Sequence, residues 1–151
     1  MKLIKNVYEG DLTKEAKKKI SDEVKKHDEI IIICDELLTK HENNDDVAIM
    51  VVSIIISFNS INKQVENSKV KSWIMKFSLR LIHTPDSKDI EEKFKIWYME
   101  KYVFILELLI TKNLDVIDDN LVKRVAKILS LDIKLFNKTM LFKLLKIIAH
   151  L

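Results

Sequence analysis

Glycine and proline are almost missing from the chain, which contains one of each, Gly10 and Pro85, among its 151 residues. A chain of this length with average composition has about ten glycines and seven prolines. Tight β-turns depend on residues that adopt positive φ, above all glycine, whereas helices can be joined by Asn, Asp and Ser. The composition therefore predicts an all-α fold.

Hydrophobic periodicity and capping residues divide the chain into predicted helices. Their approximate ranges are 12–41, 46–61, 68–83, 85–112, 120–129 and 133–151. The second is apolar all round from Val47 to Phe58, which is typical of a helix at the centre of a bundle. Its β-branched residues also fit a buried strand, but no strand–helix punctuation flanks the run. We expect a single helical domain over residues 1–151, a compact bundle of about six helices around the helix at 46–61.

The single cysteine and the length of the apolar runs predict where in the cell the protein is located. Cys34 is the only cysteine, which excludes an internal disulfide and fits a buried thiol in a reducing compartment. The first ten residues lack the apolar core of a secretory signal, and the stretch Val47–Phe58 is shorter than the roughly 20 residues that span a bilayer. We therefore expect a cytoplasmic protein without a membrane span. Lysine outnumbers arginine 24 to 2, which is typical of an AT-rich genome.

Patterns that identify an enzyme or a cofactor site are missing. Phosphate-binding loops need several glycines, because backbone N–H groups must approach the anion closely. The histidines are not spaced as ligand pairs for zinc or a di-iron centre; they are His27, His41, His83 and His150. Adjacent carboxylates such as Asp35 and Glu36 diverge by about 100° on a helix, so they do not form an acid–base pair. We expect a non-enzymatic protein with no catalytic residue, metal or cofactor.

Charge is distributed in blocks along the chain. Residues 47–83 contain five basic and one acidic residue, and residues 121–151 contain seven basic and one acidic residue. Residues 1–46 and 84–120 are net acidic, with twelve acids against nine bases and nine acids against five. Blocks of opposite sign favour docking to other proteins or self-association.

The third predicted helix places basic side chains on one face. Lys69, Ser72, Lys76, Arg80 and His83 follow one another at spacings of 3, 4, 4 and 3. Such a face is typical of an ordinary solvated helix, but the scarcity of neighbouring acids also fits binding to phosphates. The C-terminal segment adds further lysines. The predicted nucleic-acid-binding residues are Lys69, Lys76, Arg80, Lys134, Lys138, Lys143 and Lys146.

The segment Val125–Met140 resembles the helix-turn-helix pattern of DNA-binding proteins. Its apolar positions recur at the spacing of that motif, and Asp132 can cap a second helix. The resemblance implies that Asn137, Lys138 and Thr139 face DNA. The alternative is a plain helical hairpin in the core.

Three functions follow from these observations. The first is a small subunit of a nucleoprotein assembly that contacts the nucleic-acid backbone through basic helices, similar in size and composition to helical subunits of RNA-guided defence complexes. The second is a helix-turn-helix DNA-binding regulator using residues 125–140. The third is a protein-binding module of the viral Bcl-2-like type, in which a partner helix enters an apolar groove. The last helix also fits a helix that lies on an anionic membrane.

Overall fold

The computed structural model describes residues 14–57 and 65–151, and within these ranges it contains six α-helices and no β-strand. The helices are α1 (Lys14–Lys40), α2 (Asp45–Ser57), α3 (Asn67–His83), α4 (Glu92–Lys112), α5 (Asp119–Ala126) and α6 (Lys138–His150). Short 3-10 turns occupy Thr84–Asp86, Leu114–Val116, Lys127–Ser130 and Ile133–Leu135. The prediction of an all-α bundle is confirmed. Residues 12–13 and 58–61 of the predicted helices lie outside the described residues.

The N-termini of α5 and α6 are capped by side chains. Asp118 Oδ1 accepts a hydrogen bond from the Leu121 N–H at the start of α5, at 2.8 Å. Asn137 Oδ1 accepts one from the Met140 N–H at the start of α6, at 2.9 Å. These bonds satisfy N–H groups that have no partner inside the helix, so Asp and Asn set where each helix begins.

The connection between α3 and α4 differs from the prediction that Pro85 starts the fourth helix. Pro85 lies in the 3-10 turn Thr84–Asp86, and α4 begins later, at Glu92. Ser87 interrupts the helical path because its backbone is extended, with φ −68° and ψ 131°. Lys95 Nζ donates to the Pro85 carbonyl oxygen at 2.8 Å and thereby ties the turn to α4.

Among the described residues, α4 makes extensive contacts with other elements of the bundle. It packs against α2, α3 and α6, whereas α2 packs against α1 and α4. Six side chains of α4 are fully buried: Tyr102, Val103, Ile105, Leu106, Leu109 and Ile110. In α2, Met50 is 46% exposed although its neighbours are apolar. A run that is apolar all round therefore indicates that a helix is largely buried. It does not determine which other helices pack against it.

Buried aromatic residues with polar ends connect the helices. Trp73 and Tyr102 are among the largest fully buried side chains of the continuous core. Trp73 Nε1 donates to Asp35 Oδ1 at 3.0 Å, which joins α3 to α1. The Tyr102 hydroxyl donates to Asp45 Oδ1 at 2.5 Å, which joins α4 to α2. Burial, followed by this bond, raises the pKa of Tyr102, so the tyrosine remains a neutral donor.

Two leucines on α3 provide a matched test of the core. Leu81 is fully buried, whereas Leu79 is 44% exposed. We expect Leu81→Ala to lower the free energy of unfolding by about 2–5 kcal/mol, because it removes buried methyl groups and leaves a cavity. Leu79→Ala should lower it by less than about 1 kcal/mol. Urea denaturation followed by tryptophan fluorescence measures both, and equal losses would show that another face of α3 packs inward.

The buried thiol of Cys34 gives a second test. Burial, with a smaller contribution from Asp35, raises the Cys34 pKa from 9.0 to about 11. Because the thiolate is the reactive form, we expect the native protein to react with an aromatic disulfide reagent only very slowly, and the denatured protein to react quickly. The raised pKa also contributes stability that is fully present below pH 9 and is lost as the pH rises through about 11. Fast reaction of the native protein near neutral pH would contradict this assignment.

Candidate nucleic-acid interface

Arg80 is turned toward the protein rather than toward solvent. Its side chain is 12% exposed, and its guanidinium lies 3.8 Å from the Asp45 carboxylate. It also donates to Asn43, at 3.4 Å to the carbonyl oxygen and at 3.5 Å to the side-chain oxygen. Arg80 therefore holds α3 against the beginning of α2. A phosphate could reach this guanidinium only in place of these partners.

The other predicted residues of α3 do not form a free basic face either. Lys76 is half-buried and its Nζ donates to Thr39 Oγ1 of α1 at 3.1 Å. Lys69 is half-buried and has no ion pair among the described residues. Lys71, which the sequence analysis did not single out, pairs with Asp118 and holds the pKa of that carboxyl below its usual range. The basic residues of α3 thus largely connect it to α1, α2 and the start of α5.

The four predicted lysines of the C-terminal segment separate into two pairs. Lys143 and Lys146 both approach Glu107 of α4, with N–O distances of 3.1 and 3.8 Å. Lys134 and Lys138 are exposed and form no ion pair within the described part of the chain. Lys76 and Arg80 instead contact residues of the α1–α2 region, so within residues 14–57 and 65–151 the two sets have no polar partner in common.

The segment that resembles a helix-turn-helix has a different geometry. Helix α5 ends at Ala126, and two 3-10 turns and their flanking residues occupy the chain up to Asn137. A recognition helix starting after Asp132 is therefore not formed. The Asp132 carboxylate caps a 3-10 turn by accepting from the Lys134 N–H at 3.0 Å.

Asn137 also has a structural role in place of the predicted contact with DNA. Its side-chain oxygen caps α6, and its Nδ2 donates to Glu100 Oε1 of α4 at 2.5 Å. Both ends of the amide are therefore engaged within the protein. The predicted helix 133–151 begins only at Lys138, because the residues before it form a 3-10 turn and an extended link.

A different surface combines exposed aromatic rings with lysines. Trp97 and Phe104 of α4 are 45% and 37% exposed, and Phe142 of the adjacent α6 is 61% exposed. A lysine Nζ lies over each ring, at 5.5, 4.6 and 4.8 Å from the ring centroids. These distances are within the range of cation–π attraction. We call the six side chains the aromatic–lysine stripe: Trp97, Lys101, Phe104, Phe142, Lys143 and Lys146.

Glu107 organises the part of this stripe where α4 and α6 meet. The Glu107 side chain is 17% exposed and lies within ion-pair distance of both Lys143 and Lys146. Because one carboxylate serves two lysines, this cluster keeps one excess positive charge. Lys101 has no carboxylate partner among the described residues and adds a second. The stripe is therefore net positive by about two charges.

An acidic cleft lies at the N-terminal end of α4, where the aromatic–lysine stripe ends. The cleft has a volume of about 460 Å³ and is lined by carboxylates that include Asp46, Asp89 and Glu91. Phe94 lies on its wall, 49% exposed, with Lys93 Nζ at 5.0 Å from the ring. Phe94 thus resembles a member of the stripe, but the surrounding carboxylates repel phosphate. The aromatic–lysine stripe therefore begins at Trp97, beyond these carboxylates.

The sequence of α4 contains a signal for this surface. Trp97, Lys101 and Phe104 are spaced by 4 and 3 residues and therefore share one face of α4. The buried residues Tyr102 and Leu106 show that another side of the same helix is also apolar. Aromatic residues at helical spacing are usually core, so the exposure of this face follows only from the packing.

The assignment of the interface rests on geometry. No protein-family model, curated protein or solved structure matches the chain. Within residues 14–57 and 65–151, no three or more His, Cys, Asp or Glu side chains are placed to hold a metal ion. Over the same residues, no helix combines the length and apolarity needed to cross a membrane.

Arg80 and Lys76 distinguish a structural from a binding role on α3. We expect Arg80→Met to lower the free energy of unfolding by about 2 kcal/mol, because Asp45 loses its ion-pair partner and Asn43 loses a charged hydrogen-bond donor. Lys76→Met should change it by less than about 0.5 kcal/mol, since its bond is to an exposed threonine. Thermal or urea unfolding measures both variants. Equal stability of the two would contradict the structural role of Arg80.

Proposed function

We propose that this protein is a non-enzymatic subunit of a nucleoprotein assembly that binds single-stranded nucleic acid through the aromatic–lysine stripe. The observation that carries the proposal is the presence of three exposed aromatic rings on the adjacent helices α4 and α6, each with a lysine over it: Trp97, Phe104 and Phe142. Exposed rings beside cations are the elements that single-strand-binding surfaces combine.

The chemistry of the stripe favours a single strand over a duplex. Bases of a single strand can leave their own stack and lie on an aromatic ring, whereas bases inside a duplex offer no free face. A lysine has a long flexible stem, so the ammonium that covers each ring can move aside to a phosphate when a base stacks there. The rings then supply most of the affinity, and the lysines position the backbone.

This proposal keeps part of the predicted binding set and leaves the rest out. Lys143 and Lys146 belong to the stripe and share the single carboxylate of Glu107, which leaves one excess charge, whereas Arg80 and Lys76 contact residues of the α1–α2 region. The helix-turn-helix regulator is not proposed, because the chain around Asp132 forms turns in place of a recognition helix. A cytoplasmic location remains a prediction from the lone cysteine.

Removing single rings tests the stripe. We expect Trp97→Ala and Phe104→Ala each to weaken binding of a labelled oligothymidine or oligouridine by about 5- to 150-fold, as expected for one lost base–aromatic stack. Phe94→Ala is the matched control, since Phe94 is equally exposed and also lies under a lysine but borders the acidic cleft. Fluorescence anisotropy measures all three. Equal losses for Phe94→Ala and Trp97→Ala, or no binding by the unmodified protein, would refute the proposal.

The salt dependence distinguishes the stripe from the basic face predicted from sequence. With about two excess charges, the logarithm of the binding constant should fall with the logarithm of salt concentration with a slope of about −1.4. Engagement of all seven predicted basic residues would give a slope of about −5. The same oligonucleotide titration, repeated over a salt series, measures this slope. A steep slope would show that the backbone contacts lie elsewhere.

A further inference from the structure

Helix α6 has three sides with different surroundings. Met140, Leu144 and Ile147 are buried in the core, and Phe142 with its lysine neighbours belongs to the aromatic–lysine stripe. The third side carries Leu145 and Ile148, which are 63% and 40% exposed. Successive residues turn by about 100° along a helix, so the second and third sides point in different directions. Neither the core nor the stripe therefore accounts for the exposed apolar residues of the third side.

An apolar groove runs along this third side, between α6 and the turns that follow α5. It consists of two adjoining depressions of about 280 and 270 Å³, and both include Ile128, Leu129 and Ile148. Its walls are almost entirely apolar, and Leu129 and Ile133 on the turns are 58% and 66% exposed. Contiguous exposed surface of this kind marks an interaction site.

Charge around the groove identifies the kind of partner. Residues 121–151 contain seven basic residues and one acidic residue, Asp132. Lys127 and Lys134 adjoin the lining residues in sequence, and Lys138 lies one turn before Leu141 of the wall. All three are exposed and have no ion pair among the described residues. By position in the chain, these three lysines and the exposed carboxylate of Asp132 border the apolar lining, so the rim carries a net positive charge.

We propose that this groove binds an amphipathic helix of an acidic partner protein, with leucine-like residues in the groove and carboxylates on the rim. Apolar side chains at i, i+3 or i+4, and i+7 of a partner helix enter such grooves, and opposite charges on the rim give orientation and speed of association. The two depressions provide places for two such anchors.

The other occupants fit the surface less well. A second copy of this chain related by a two-fold axis would bring the same basic rim against itself, and like charges would repel. Nucleic acid is attracted to the rim, but it gains little from the floor, because the aromatic ring among the lining residues, Phe136, is only 9% exposed and offers no open face for a base. The proposal does not depend on nucleic-acid binding by the stripe.

A charge-swapped pair of peptides tests the chemistry of the partner. The first is a labelled peptide of about 18 residues with Leu at helical spacing and Glu elsewhere, and the second replaces each Glu by Lys. A third peptide has the composition of the first but no helical period. We expect the acidic amphipathic peptide to bind at least about tenfold more tightly than either of the others, measured by anisotropy at physiological salt. Equal binding of the acidic and basic peptides, or of the periodic and aperiodic ones, would overturn the proposal.

Substitutions then locate the site. Leu145→Glu and Ile133→Glu lie at exposed positions, so they should fold normally and weaken acidic-peptide binding by at least about tenfold. Leu79→Glu, on an exposed position of α3, is the matched control and should leave it unchanged. Lys134→Glu should weaken the acidic peptide and strengthen the basic one. Unchanged binding in Leu145→Glu and Ile133→Glu, or a dimer of the unmodified protein that Leu145→Glu dissociates, would overturn the proposal.

Peptide binding to the groove and oligonucleotide binding to the stripe can be tested independently of each other. Leu145→Glu should leave oligonucleotide binding within about threefold of the unmodified protein, and Trp97→Ala should leave acidic-peptide binding unchanged, because the two substitutions lie on different surfaces. Loss of oligonucleotide binding in Leu145→Glu, or of acidic-peptide binding in Trp97→Ala, in a variant that keeps the unfolding free energy of the unmodified protein would contradict the separation of the two surfaces.

Discussion

The packing of α4 against α2, α3 and α6 is the constraint on which the rest of the structure depends. Each fully buried aliphatic or aromatic side chain contributes roughly 1.5–3 kcal/mol, so the buried side of this helix is a large part of the core. Its position is secured by a polar junction at the start of α2. Asp45 accepts a hydrogen bond from Tyr102 of α4 and lies near Arg80 of α3, so one carboxylate connects three helices.

The same packing leaves apolar surface uncovered. Both α4 and α6 are apolar on more sides than a bundle of this size encloses, since Trp97, Phe104 and Leu145 remain substantially exposed. Water disfavours such surface, and it persists in folded proteins mainly where a ligand or partner covers it. The proposed functions use these uncovered sides: rings with lysines for stacked bases, and an apolar groove with a net basic rim for an acidic helix.

Both proposed surfaces use α6, which connects them physically. Phe142 and Lys146 contribute to the stripe on one side, and Leu145 and Ile148 contribute to the groove on another. A small helical protein with a nucleic-acid face and a protein-docking face has the properties of a subunit in a larger nucleoprotein assembly. The basic charge of residues 121–151 contributes to both surfaces, through attraction to phosphate and through attraction to carboxylates.

Much of the local structure could be predicted, and the candidate interface largely could not. The basic spacing on α3 was identified correctly as one periodic pattern, but the pattern contains no information about what lies opposite it. Arg80 meets Asp45 of α2, 35 residues earlier in the chain, and Lys143 meets Glu107 of α4, 36 residues earlier. Whether a cation is available to a ligand is decided by such distant partners.

The sequence by itself determined the all-α class and the approximate helices, because helix formation depends mainly on residues within a few positions of one another. Tertiary structure alone decided how α4 packs against α2, α3 and α6, that Arg80 is enclosed while Trp97 is exposed, and that residues 127–137 form turns in place of a recognition helix. Those outcomes depend on which helix faces pack against one another, and this packing exists only in the folded chain. A helical period shows which side chains share a face, but only packing determines whether that face meets protein or solvent.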